Sequence, residues 1–151
     1  MTARLRMRQG LLTACLLAPC VVVGGGEAKV LSITFDDIKF PMAKQEPFRR
    51  ALLSSRIEQL HGKAVKIRGY MLPSFQQRGI TQFVLVRDNM ECCFGPGAAL
   101  YDCVLVEMSA GKSTVFTVRP VAVTGIFTIS ELKGPDGKHL AIYKVAGQEV
   151  H

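Results

Sequence analysis

Gly62-Lys63-Ala64-Val65-Lys66-Ile67-Arg68-Gly69-Tyr70-Met71-Leu72-Pro73 is the stretch on which the fold turns. Val65, Ile67, Gly69 and Met71 alternate with Lys66, Arg68 and Tyr70. A period of two is the mark of a strand with one buried and one wet face. Gly69 falls in the apolar series, where a missing side chain signals a sharp bend, as small barrels need at a corner. Pro73 opens a polar loop that runs to Gly79.

Outward from this strand the chain continues in the same idiom. Residues 81–87 form a second strand, with Phe83 and Leu85 on one face and Val84 and Val86 on the other, apolar enough to be covered on both sides. Residues 103–108 are a third strand and 113–118 a fourth, which Arg119-Pro120 interrupts. Residues 121–129 are strongly β-like, Gly134-Pro135-Asp136-Gly137 is a hairpin turn, and 140–145 return from it. Upstream, Phe48, Leu52, Leu53, Ile57 and Leu60 recur at three- and four-residue spacing, which predicts an amphipathic helix over 47–60 that ends at Gly62. Before it, Leu31, Ile33 and Phe35 alternate with Ser32 and Thr34 in a short strand or extended lead-in. The expected fold is mainly β: a small OB-like Greek-key barrel of five to six strands with one N-terminal amphipathic helix, a single domain over 29–151.

Residues 1–28 have the grammar of a secretory signal. Arg4, Arg6 and Arg8 precede an apolar run over 11–23, and small residues follow over 24–28. The preferred cleavage is after Ala28, with Gly26 as the alternative. Leu12-Thr13-Ala14-Cys15 resembles a lipidation motif with too short an apolar core, and Leu17-Ala18-Pro19-Cys20 has the length but a poorly suited proline. The protein is therefore expected in the periplasm or another extracytoplasmic space, membrane-associated at its N-terminus only if the signal stays uncleaved or is lipidated. Cleavage after Ala28 leaves 16 basic and 11 acidic residues, a formal charge of +5. Basic balance invites a nucleic-acid reading, but export and a single aromatic, Tyr70, beside Lys66 and Arg68 speak against it. That patch instead suits an anionic partner protein or lipid headgroups.

Cleavage also removes Cys15 and Cys20, leaving Cys92, Cys93 and Cys103. They lie in Asn89-Met90-Glu91-Cys92-Cys93-Phe94-Gly95-Pro96-Gly97, continuing to Cys103. Neighbouring Cα atoms about 3.8 Å apart are too close for an unstrained disulfide, so Cys92 and Cys93 are poor partners for each other. Three readings stay open. Cys93, or Cys92, bridges to Cys103 and closes a loop of about ten residues, worth roughly 2–3 kcal/mol. Alternatively Cys92, Cys93 and Cys103, with Met90, Met71 and His61 or His139 nearby, hold zinc or copper. In the third the thiols pack as small apolar groups. His61, beside the helix-ending Gly62, reads as a cap or surface residue, His139 as solvent-exposed and His151 as a mobile terminus. Met90, Phe94, Gly95, Pro96 and Gly97 would form the binding loop. No nucleophile sits with a base, Asp36 and Asp37 are adjacent rather than paired, and Gly95-Pro96-Gly97 lacks the Lys and Ser or Thr of a phosphate loop. A non-enzymatic binding module is the expectation.

The segments Gly69-Tyr70-Met71-Leu72-Pro73, Thr81-Gln82-Phe83-Val84-Leu85-Val86 and Cys92-Cys93-Phe94-Gly95-Pro96-Gly97 together resemble an uncharacterised family of exported bacterial proteins, domain of unknown function 3299. The resemblance covers about residues 33–145. It implies an OB-like fold and carries no enzyme activity with it. Some members are encoded near metal-uptake transporters, which implies a metal-transport component or another envelope protein as partner. Other members carry a single cysteine in a proline-rich loop here, so a double-cysteine metal site is not general to the family.

Overall fold

The structure, a computed structural model, describes residues 29–42, 47–88 and 99–151. The expected signal peptide over 1–28 lies outside them. Six strands make one sheet: β1 (Leu31–Ile33), β2 (Ala64–Met71), β3 (Gln82–Val86), β4 (Cys103–Met108), β5 (Val121–Lys133) and β6 (His139–Val150). Their order is β1-β2-β3-β4-β6-β5, and β2 also pairs with β5. Each of β2 to β6 thus has hydrogen-bonded neighbours on two sides. The β1–β2 and β4–β6 pairs are parallel and the others antiparallel.

β2 is the hub, and its alternation is borne out residue by residue. Val65, Ile67, Gly69 and Met71 are buried while Lys66 and Arg68 are exposed and Tyr70 is half-buried. It pairs with β5 from Ala64 to Gly69 and with β3 at Tyr70 and Met71. Gly69 marks the change of partner. A Cβ there would lie 2.5 Å from the Val86 carbonyl oxygen, so only a residue without a side chain lets β3 approach. The inward residues of all the strands meet in one apolar core, with Ile67, Leu85, Val106, Phe127 and Tyr143 among its members.

Segments between β1 and β2 cap this core. Phe35, Ile38, Phe40, Phe48, Ile57 and Leu60 all belong to it. The Tyr143 hydroxyl donates to the Ile38 carbonyl at 2.8 Å, and burial holds that phenol well above its usual pKa. The expected 47–60 helix is much shorter, a 3-10 turn at Arg50–Leu52 followed by α1 (Ser55–Leu60). Ser54 interrupts the periodic run by accepting from the Ile57 N–H at 3.4 Å as an N-cap, which restarts the helix there. Gly62, at φ 77°, ends it as expected.

Two other expectations change. The lead-in is strand only to Ile33, because Phe35–Ile38 turns into a 3-10 helix to bury Phe35 and Ile38. The 113–118 segment is no strand: Thr114 forms an isolated bridge with Ile80, and Phe116 N–H donates to the Gln77 carbonyl at 2.9 Å. Its β-like residues are used against the 73–80 loop instead of the sheet. β5 and β6 run longer than their sequence pattern, joined through the turn in which Gly137 has φ 78°.

Candidate functional site

The sheet registers bring the basic residues of β2 into a cleft. On the outer face, Lys66 is flanked by Ser32 of β1 and Thr124 of β5, and Thr124 is opposite Glu149 of β6. One row further on, Arg68 is opposite Ala122, whose backbone exchanges two hydrogen bonds with His151, at 2.8 and 3.0 Å. Ser32, Ile33, Thr34, Lys66, Arg68, Pro120, Ala122 and His151 line an open cleft of about 400 Å³. None of these lining residues is acidic.

The lining itself carries two cations and no carboxylate, while Asp37 and Glu149 each hydrogen-bond a lining residue. Lys66 and Arg68 are two residues apart on one face, so their stems leave the strand roughly 7 Å apart. Among the described residues neither forms an ion pair, whereas Arg50, Arg56, Arg87, Lys133, Lys138 and Lys144 all do. His151 Nε2 lies 3.1 Å from a Glu149 carboxylate oxygen at the rim. Thr34 is fixed from behind. The Asp37 carboxylate accepts from both its backbone N–H and its hydroxyl at 2.8 Å and also pairs with Arg56. Those hydrogen bonds from Thr34, with help from Arg56, hold Asp37 below the usual carboxylate pKa. The result is a wall that carries two cations and Ser32, with room for a small oxyanion, while the Thr34 hydroxyl proton is given to Asp37.

The structure separates the sequence-predicted residues into three groups. Lys66 and Arg68 come together in the cleft. Tyr70, third of that patch, lies next along the same face but outside the lining, in a cross-strand row with Val86 and Cys103. Cys103 is buried as the first residue of β4, its thiol 3.9 Å from the Ala99 carbonyl. Cys92, Cys93, Met90, Phe94, Gly95, Pro96 and Gly97 lie outside the described residues, and so do the metal-site and disulfide readings that need them. Their flanks are described: Arg87 N–H donates to the Asp102 carbonyl at 3.1 Å, and Val86 pairs with Cys103.

The remaining soft donors have structural duties. Met71 is buried in the core. His61 is the C-cap of α1, and its Nδ1 accepts from the Ile129 N–H at 3.1 Å. His139 is not solvent-exposed as expected, because its side chain is only 11% accessible, packed edge-on against Phe48 and 2.8 Å from Glu131. His151 is not a free end either, since its backbone extends the β5–β6 ladder. Among the described residues no group of three or more His, Cys, Asp or Glu is placed to hold a metal ion.

Sequence reasoning missed Ser32, Thr34, Pro120, Ala122 and His151. Their alternation with Leu31 and Ile33 put Ser32 and Thr34 on a wet face, but nothing local says that β1 lies parallel to β2.

No curated protein matches the chain. A solved structure resembles it: the crystal structure of a DUF3299 family protein from Pseudomonas aeruginosa PAO1 superposes with a TM-score of 0.57 and 17% sequence identity, over 81% of this chain and 95% of that one. At that identity the likeness speaks for the fold alone. Residues 27–151, which take in all six strands, match the family described as protein of unknown function DUF3299, and the chain belongs to that family.

Proposed function

We propose that this chain is an exported, non-enzymatic binding module, an OB-like barrel whose outer cleft receives the phosphate or carboxylate group of an envelope partner. The barrel reading rests on the circuit β2-β3-β4-β6-β5 and back to β2, with β4–β6 its one parallel pair. That is the strand order of a five-stranded Greek-key barrel, with β1 added alongside β2. Export rests on the composition of residues 1–28, with release into the periplasm after Ala28.

One observation carries the ligand class: Lys66 and Arg68 share a cleft with Ser32 and Thr34 and, among the described residues, have no carboxylate partner. Two cations held side by side repel each other, and an oxyanion between them removes that repulsion and gains charge-assisted hydrogen bonds. Amide chemical shifts followed during titration with inorganic phosphate, and separately with acetate, test the reading. Shifts should concentrate at 32–34, 66–68 and 122. Lys66→Ala with Arg68→Ala should weaken binding by on the order of tenfold or more. Saturable shifts elsewhere, or none, would refute it.

The thiols support a second reading. Cys103 ends a row through Val86 and Tyr70 that starts on the same face as Lys66 and Arg68. In this reading Cys92, Cys93 and Cys103 hold zinc or copper and the module serves transition-metal handling, or a Cys93 to Cys103 bridge braces an envelope adaptor. Alkylation followed by intact mass separates the two: a bridge leaves a single thiol to react. A metal site shows as stoichiometric zinc or copper in reduced protein, lost in Cys92→Ser.

A further inference from the structure

The end of the sheet beyond the cleft presents a surface of a different kind. Phe75, Val115 and Val118 are exposed, Phe75 completely and Val118 to 77%. They stand on two segments laced together: Ile80 and Thr114 exchange both backbone hydrogen bonds at 2.9 Å, and Phe116 N–H donates to the Gln77 carbonyl. Phe116, between the exposed residues, packs against the core and anchors the second segment. The only charged residues in 72–80 and 111–120 are Arg78, Lys112 and Arg119, all basic. Lys112 reaches the Gln148 carbonyl, while Arg78 and Arg119 form no ion pair among the described residues.

Apolar tips on two segments whose only charged residues are basic have the chemistry of an interfacial contact. The tips suit a fluid acyl boundary, which needs no matching concavity, and the cations suit phosphate headgroups. We propose that this end of the molecule docks on an anionic lipid bilayer, with Phe75 and Val118 below the headgroups and Arg78 and Arg119 against their phosphates. The surface lies on different residues from the cleft, so this holds whatever the cleft binds.

The chain has no tryptophan, which makes Phe75→Trp a sole emission reporter for this loop whatever residues 1–28 do. With the full chain, vesicles of phosphatidylglycerol and phosphatidylcholine in equal parts should shift its emission to shorter wavelength. Phosphatidylcholine alone should not, and high salt should reverse the shift. Arg78→Glu with Arg119→Glu in the reporter chain should lower the lipid-bound fraction by on the order of tenfold. Circular dichroism should stay unchanged, showing that the fold survives. Lys66→Ala with Arg68→Ala should leave the emission response intact. No shift with anionic vesicles, or an equal shift with neutral ones, overturns the proposal. A response to polyglutamate in place of vesicles overturns it too, assigning the surface to an acidic protein.

Discussion

The two faces of β2 are built from alternate residues of one eight-residue strand, yet they have almost nothing in common. Val65 and Ile67 are completely buried, and Gly69 lies so close to β3 that no side chain fits. Lys66 and Arg68, each one residue away, line an open cleft together with Ser32 and Thr34. Because side chains alternate strictly, the strand can be locked from one side and left open on the other. The inner face therefore governs whether the chain folds, and the outer face is available for recognition at little cost to stability. Each variant below tests that division, starting where the effect should be largest.

Gly69→Val attacks the inner face at its tightest point. The contact is with backbone, the Val86 carbonyl, which cannot rotate away as a side chain would. A loss of about 3 kcal/mol or more, or outright failure to fold, is expected in chemical denaturation. Ile67→Ala leaves a cavity instead of a clash. Its side chain is fully buried, so the loss should be about 2–5 kcal/mol, depending on how far Val123 and the residues around it relax. A wild-type denaturation midpoint in either variant would mean that β2 is not the hub.

These same residues show what a sequence can and cannot convey. The period of two in 63–72 placed every side chain of β2 on its correct face, because a strand buried on one side must alternate. β3 and β4 were legible for similar reasons. Where the signal failed, a local cap or a distant contact had overruled the periodic pattern. The 47–60 run has helical spacing, yet Ser54 caps a new helix and only six residues form it. Residues 113–118 look like a strand, but the backbone they meet is the 73–80 loop. β6 continues through Ala146, Gly147 and Gln148, poor strand formers, because β4 and β5 flank it. The cleft was half legible: Lys66 and Arg68 came from β2 itself, while Ser32, Thr34 and His151 arrive through pairings that no local pattern encodes.

Asp37 links the two faces, since it secures Thr34 of the cleft wall from the segment that buries Phe35 and Ile38. Its native pKa is depressed below the usual carboxylate value, chiefly by the hydrogen bonds from Thr34. A depressed carboxylate contributes stability that is fully present above the unfolded value and lost as pH falls through the native one. Wild type should therefore lose this contribution as pH drops from about 4 downward, while Asp37→Asn lacks it at every pH. The gap between them in denaturation experiments should be about 1 kcal/mol at neutral pH and close in acid. A gap that widens in acid would reverse the sign and show that the charge of Asp37 is unfavourable in the native state.

The smallest effect on stability is expected where the effect on binding is greatest. Lys66→Ala with Arg68→Ala removes two exposed side chains that, among the described residues, hold no ion pair, so the denaturation midpoint should move by about 0.5 kcal/mol or less. Inorganic phosphate changes the comparison. Ligand that binds only the folded state stabilises it in proportion to occupancy, so saturating phosphate should raise the wild-type midpoint and leave the double variant where it was. A substantial loss of stability without phosphate would break the division between the faces, because it would make the outer cations part of what holds β1 and β5 against β2. An unchanged midpoint together with a lost phosphate response would confirm that one strand keeps folding and recognition on opposite sides.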